Sequence, residues 1–397
     1  STSLVLYCKA GSTGWDKTPW ADLNGGEVAA PVIDKQPADQ TVVLGETATF
    51  SVTVTSGETP TYQWYKGTEA ISGATGSSYT ISSVEYSDAD DYSVEVSNYV
   101  GTATSKTAAL VVQTAVNGTF EDGDSTYKVL SNSETPTVSI TATTATGAYT
   151  VPTTVTNPGG QTYTVTEIAD EAFKGNTGLT SVVIPDGVTT IDESAFEGCT
   201  NMTSVTIPDT VDTIGASAFK GCSTLDGVTI PDGVTEIAAS TFEGCTKLAT
   251  VTLPATGLTT IGDNAFAGCT MLTAAPIPAT ADTIGAGAFN GCTGLTSVTV
   301  PNEVDTIGAG AFENCTGMTN IILSTNLTAI ADRTFAGCNK LPAVTIPKNV
   351  ETIGESAFEG CTSLESMTIP NEVETIGKKA FSGCTKLEEV SFVTGVK

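Results

Sequence analysis

The sequence predicts a multidomain, all-β protein: an antiparallel sandwich followed by a right-handed solenoid whose coils stack into a parallel β-sheet and carry short helical turns. Two patterns lead there. A phenylalanine recurs at 173, 196, 219, 242, 266, 289, 312, 335, 358 and 381, a step of 23 residues that is once 24. A fixed period of roughly 20 to 29 residues means one structural unit per repeat, each too small to bury its apolar side alone and so stacked on its neighbours. Ahead of it, over residues 31–113, short alternating runs are broken by Gly, Pro and Ser, which is how strands joined by turns read.

Residues 1–30 read as a short strand and an irregular arm in which Trp15, Trp20 and Cys8 pack locally, or as the remnant of an upstream repeat. Within 31–113, TATFSVTV (47–54) alternates as a core strand and TYQWYKG (61–67) centres Trp64. YTISSVEYSDADDYSVEVSN (79–98) gives two strands joined by a corner. The tryptophan and the run Asp88-Ala89-Asp90-Asp91-Tyr92 resemble an immunoglobulin-like domain of the intermediate type, with its tryptophan on strand C and its tyrosine corner. This chain departs from that family where the inter-sheet cysteines would stand, at Val52 and Val94. Packing alone must therefore hold the core. Asp88, Asp90 and Asp91 supply three carboxylates where a calcium cage takes about 6 to 8 oxygens, so the cluster reads as a hydrogen-bonded turn.

Residues 114–165 hold no copy of the repeat but are rich in Thr, Val and Tyr. A first coil left bare would expose an apolar face, so this segment is placed to be the β-rich N-terminal cap of the solenoid.

The solenoid occupies 166–397 as about ten repeats of 23 residues, and LTSVVIPDGVTTIDESAFEGC (179–199) shows the unit. Leu, Val and Ile fall at spacings 0, 3 and 5, so the last two face the same way in a strand of period two. A proline follows in eight copies, with Ser324 in its place in one; lacking an amide hydrogen, it stops the ladder. Then comes V-x-x-I-G and a turn whose Ala and Phe point inward. The Phe column and the Ile column (191 to 376) are expected to carry most of the stability, at about 1.5–3 kcal/mol for each fully buried side chain. Cysteines at 199, 222, 245, 269, 292, 315, 338, 361 and 384 share one position, held by Asn176 in the first copy. They read as a column of buried thiols. Disulfides between neighbouring coils are the alternative, opposed by the side-chain dihedral a disulfide needs. The consensus L-x-x-V-x-I-P-x-x-V-x-x-I-G-x-x-A-F-x-G-C, kept from Ile168 onward, resembles the BspA-like class of bacterial leucine-rich-repeat surface proteins. That resemblance implies secretion or cell-surface display, adhesion, and binding of host or neighbouring-cell proteins, often beside immunoglobulin-like modules.

Composition excludes several functions. With 44 acidic and 16 basic residues the net charge is -28, which argues against phosphate backbones and anionic lipid, both of which need clustered Lys and Arg. The only arginine is Arg333, and there is no histidine. The commonest general base and the commonest zinc ligand are therefore both missing. No phosphate loop or nucleophile elbow occurs. No cofactor, metal or direct membrane insertion is expected. The chain opens at Ser1 without a basic start and apolar segment, so a removed export signal or a cut from a longer protein is expected. Leu387, Val390 and Phe392 begin a further coil, so continuation of the protein, or pairing of this end with another copy, is expected.

Strand side chains that alternate away from the core define the candidate binding strip. One row is Thr206, Thr229, Thr252, Thr299, Ile322, Thr345 and Thr368; the other includes Ser204, Thr250, Ser297, Asn320 and Ser366. These are small, hydroxyl-rich and uncharged on an acidic body. Solenoids use such surfaces for extended partners, although Thr is also simply a good strand former facing water. The sequence thus reads as a secreted or surface-displayed, non-catalytic binding or adhesion protein whose partners are extracellular host or bacterial surface proteins, or glycans. A structural stalk is the alternative, and a glycan-active enzyme the remote one.

Overall fold

A computed structural model describes residues 8–9 and 27–393; Trp15 and Trp20 lie outside the described residues. The chain forms two compact units, one of residues 1–120 with 156–163 and one of residues 121–155 with 164–397.

The first unit contains strands β1 (Val32–Lys35), β2 (Gln40–Val43), β3 (Ala48–Ser51), β4 (Thr53–Thr55), β5 (Thr61–Lys66), β6 (Glu69–Ala70), β7 (Ser78–Ile81), β8 (Asp90–Ser97), β9 (Thr102–Thr104) and β10 (Ala108–Gln113). One sheet runs β2-β10-β8-β5-β6, with β9 on β8; β1 pairs with β4 and β3 with β7. Alternation decides what faces inward: in β8, Tyr92, Val94 and Val96 are buried and their neighbours are not. Phe50 stacks on Tyr92 at 4.7 Å and sits 6.2 Å from Trp64, and Val52 and Val94 join them where a disulfide would cross. The tyrosine corner forms: the Tyr92 hydroxyl donates to the Asp88 carbonyl at 2.8 Å. The nearby carboxylates serve the backbone, Asp88 accepting from Glu85 N–H and Asp90 from Asp91 N–H. They make the turn expected of them. Residues 156–163 lie along β10, where a Cβ on Gly159 would meet Val112 O at 2.1 Å, so only glycine fits. Asn157 closes the contact by donating to Val112 O at 3.0 Å.

In the second unit, the strands Ser125–Ser131 and Thr137–Thr143 form a hairpin. Thr137–Thr143 lies parallel to the strand ending at Ile168, which begins one solenoid ladder; Gly147–Thr150 begins another on Leu179–Val183. Most coils then make two strands, the exceptions being the coils of residues 272–277 and 341–346, which form only the second. The first holds the L-x-x-V-x-I motif, as in Ser204–Thr206; the second is two residues long, as in Thr213–Ile214. The phenylalanines stack in one file of nine successive contacts, 4.7 to 5.8 Å between centroids and within 21° of parallel. Tyr149 covers the N-terminal end of the file, 5.8 Å from Phe173.

The expected helical turns are not helices. Alternate amides of the turn leave the coil: Ser194, Phe196 and Gly198 N–H bond to Ala216, Ala218 and Lys220 carbonyls of the next coil, while Glu197 and Cys199 N–H bond three residues back. A helix would need every amide for its own i−4 carbonyl. Two left-handed residues per coil, such as Ser194 at φ 54° and Gly198 at φ 72°, also break the helical path. The turn is thus a third ladder, and it is unbroken from Glu171 N→Glu193 O to Gly360 N→Ser382 O.

Each cysteine thiol donates to the carbonyl of the phenylalanine in the preceding coil, at 3.0 to 3.2 Å. The nine cysteines are free, and all but Cys384 are buried. The disulfide alternative is not what forms. Asn176 does the same work in the first coil, donating to Ala145 O at 2.9 Å.

The second-strand ladder is broken twice, between Ile214 and Ile237 and between Ile307 and Ile330. From the coil of Ile214 onward the closed coils carry glycine after the Ile, whereas in the coil before it Asp192 N–H makes the same bond to Ile168 O at 2.8 Å. At Gly215, Gly262, Gly285, Gly308, Gly354 and Gly377 a Cβ would come within 2.4 to 2.8 Å of the preceding coil's backbone, and each N–H reaches the preceding Ile carbonyl at 2.6 to 2.8 Å. The two coils that follow the breaks carry Ala238 and Ala331 there and lack this bond. Both also replace the turn alanine with a buried threonine: the Thr241 and Thr334 hydroxyls donate to the Ala238 and Ala331 carbonyls at 2.8 Å.

Candidate functional site: the first-strand face

The strip is built by the strand period. Between Ser204 and Thr206, Val205 turns into the core, and Val228, Val298, Ile321 and Met367 do the same in their strands. Thr206, Thr229, Thr252, Thr299, Ile322, Thr345 and Thr368, with Ser204, Thr250, Ser297, Asn320 and Ser366, all face solvent. Register brings many of them side by side: Ser204↔Gly227, Gly227↔Thr250, Thr229↔Thr252, Ser297↔Asn320 and Thr299↔Ile322.

These hydroxyls differ from the other threonines of the coil. One strand position earlier, the Thr203 and Thr319 hydroxyls donate to the Thr180 and Thr296 carbonyls of the preceding coil at 3.0 Å, so they help build the ladder. Among the described residues, Thr206, Thr229, Thr252, Thr299 and Thr345 spend no side-chain hydrogen bond inside the chain; Asn320 reaches Ser297 Oγ at 3.2 Å, and Thr368 reaches Ser391 Oγ at 3.3 Å. The strip's groups are mostly free to bond outward. Ile322, 55% exposed, and Val183, 41% exposed, add apolar points.

The first-strand ladder is not uniform, and where it opens the face is indented. Gly227, with no side chain between Ser204 and Thr250, leaves a notch of 300 Å³ lined also by Thr206, Thr229 and Thr252. A cleft of 240 Å³ lies beside Pro254, Pro276 and Pro278, where the 24-residue coil disturbs pairing. A third opening, of 520 Å³, is lined by Thr345, Lys348, Ser366, Thr368 and Asn371 among others. Reading the sequence as a regular strip missed these openings, although Gly227, Pro276 and Pro342 were there to signal them. A second hydroxyl row was also missed: Thr190, Thr213, Thr260, Thr283, Thr306, Thr352 and Thr375, on the second strands.

The ion pairs lie on other faces of the coil. Lys174 pairs with Glu171 and with Glu197, Lys220 with Glu243, and Arg333 with Glu313, all on the turns. Exposed pairs of this kind contribute little to stability. Burial lifts the carboxyl pKa of Glu167 above its ordinary value, with Asp192 pushing the same way and Lys128 opposing. Among the described residues no group of three or more Cys, Asp or Glu could hold a metal ion, and no helix is long and apolar enough to cross a membrane.

The immunoglobulin-domain family profile matches residues 30–98. The solved structure of the pneumococcal vaccine antigen PcpA is 22% identical, covers 71% of this chain and 83% of its own, and superposes with a TM-score of 0.53; at that identity it shares the fold. A leucine-rich cell surface protein from Faecalibacterium prausnitzii is 31% identical, with coverage of 70% of this chain and 95% of that one and a TM-score of 0.37. Endoglucanase C of Cellulomonas fimi is 33% identical over 121 residues, 29% of this chain. The chain spans only 11% of the length of that curated relative. The profile described as a BspA type leucine rich repeat region matches 166–296 and 282–397, well over half of the chain and the same stretch in which the phenylalanine file, the thiol column and the three ladders repeat. The chain belongs to the family of proteins built on BspA-type leucine-rich repeats.

Proposed function

We propose that this protein is a non-catalytic binding protein displayed at a bacterial cell surface, and that it engages extracellular proteins of a host or a neighbouring cell along its first-strand face. The observation that carries the reading is the division of labour among the threonines: the Thr203 and Thr319 hydroxyls are spent on the ladder, while the strip keeps most of its hydroxyls unspent and solvent-facing over many coils. An array of unused donors and acceptors on a rigid, repeating support suits an extended polypeptide, which brings matching groups at similar spacing. Family membership supports surface display. Support for a non-catalytic role comes from composition, since the chain has no histidine to serve as general base.

The test is a pull-down with extracellular-matrix proteins and with surface proteins of neighbouring bacteria. Saturable binding lost in Thr252→Lys and Thr299→Lys variants supports the reading. Absence of binding, or binding indifferent to both substitutions, defeats it in favour of a stalk.

A further inference from the structure

The first-strand ladder fails on both sides of residues 343–346. In most other coils the amide at the strand entrance bonds back to the preceding coil, as Thr319 N–H does to Thr296 O at 2.9 Å; here that position is Pro342, which has no hydrogen to give. Among the described residues, no backbone group of 343–346 is hydrogen-bonded within the chain, although the Val344 and Ile346 side chains stay buried. The next strand, Ser366–Ile369, pairs forward with Glu389–Phe392 and leaves its facing edge open. The same two coils are closed elsewhere, by Thr352↔Thr375 in the second strand and by Phe358 N→Ala380 O at 2.8 Å in the turn. The opening is therefore one-sided. It forms the 520 Å³ cleft, within the range of about 300–1,000 Å³ that ligand sites occupy.

Its charge is also distinct. The position after the strand proline is Asp186, Asp209 and Asp232 in the early coils and Lys348 here, beside Asn371. Lys348 is exposed and makes no ion pair among the described residues. Because the strands run from Ala343 and Ser366 toward Lys348 and Asn371, the ammonium stands at one end of the cleft.

We infer that this cleft binds an extended peptide segment of about four residues, at ~3.3 Å each. Its backbone pairs with the open strand edges and its carboxylate is held by Lys348. Open edges offer alternating donors and acceptors at peptide spacing, the basis of strand addition, whereas the lining holds no aromatic ring on which a sugar face could stack. The inference rests on the function proposed above and adds a docking point and a ligand chemistry to it.

Three fluorescein-labelled hexapeptides of alternating Val and Thr test it by anisotropy on the full chain: one amidated with a central Glu, one neutral with a free C-terminal carboxylate, one neutral and amidated. Expected is saturable binding of at least one carboxylate-bearing peptide, tenfold or more tighter than the neutral amidated one. The Lys348→Glu variant, whose melting curve should match the parent's because the side chain is exposed, should bind at least tenfold more weakly. Hydrogen exchange should slow at 343–346 and 366–369. Which peptide binds tells whether the carboxylate is a side chain or a chain end. Equal binding of all three, binding unaffected by Lys348→Glu, protection elsewhere, or tighter binding of an oligouronate than of any peptide overturns the inference. A protein partner lost in Thr252→Lys but retained in Lys348→Glu overturns it too and leaves the proposed function standing; a partner indifferent to both defeats the proposed function itself.

Discussion

The thiol column makes the solenoid sensitive to alkali. Burial pushes the Cys199 thiol up to about 11 and the Cys292 and Cys338 thiols up to about 12, and raises the others of the buried file in the same direction. An unfolded thiol ionises near 8.5. Above that pH the unfolded chain has released protons that the folded chain still holds, so stability must fall as pH rises toward the folded-state values and is unaffected well below 8.5. Each thiol costs about 1.4 kcal/mol per pH unit in that window. Eight cysteines are buried, so by pH 10 the summed loss is on the order of 10 kcal/mol, comparable to the whole stability of an ordinary domain. Thermal melts followed by circular dichroism in reducing buffer from pH 7 to 10 should show a flat region and then a steep fall in midpoint. Cys292→Ala, although less stable at pH 7, should fall less steeply. A midpoint constant to pH 10 would refute the burial argument, as would rapid modification of all nine repeat thiols by a disulfide reagent in the folded protein at pH 8.

Other outcomes follow from the ladders and cores. In a Cys8→Ser background one repeat thiol should react first, that of Cys384, which is the one repeat cysteine not fully buried; mass mapping of the labelled site checks this. Gly285→Ala places a Cβ 2.6 Å from Asp263 N and should cost about 1–3 kcal/mol through lost ladder bonds and strain, while adding Ala288→Thr should recover part of it, as the natural pairs Ala238–Thr241 and Ala331–Thr334 suggest; strictly additive melting shifts would contradict the coupling. Amides of residues 238 and 331 should exchange faster than those of 285 and 354, which hydrogen-exchange mass spectrometry resolves. Phe266→Ala, in the middle of the file, should destabilise by about 3–5 kcal/mol. Tyr92→Phe should cost about 0.5–1.5 kcal/mol by removing the bond to Asp88 O.

Much of this architecture is legible without coordinates because a repeat imposes its own geometry. A residue type recurring every 23 positions must stand above itself, so the Phe file, the Ile and Cys columns and the outward rows of Thr206, Thr252 and Thr299 were readable from spacing alone. The same holds for Trp64 and Tyr92, whose strand context carries its own alternation. Periodicity could not reveal departures from the average coil. The short turn after Ile191 looks helical by composition, yet its amides go to the next coil, a partner that exists only after stacking. Whether a threonine hydroxyl is spent on a neighbouring carbonyl, as at Thr203, or left free, as at Thr206, depends on distances between coils that no local pattern contains. The glycine before each turn, the Ala–Thr pairs that replace it, and Pro342 at a strand entrance are single letters in the sequence. Their effect is decided by how closely two backbones approach in the stacked molecule, and that is where the ladder closes, breaks, or opens into a cleft.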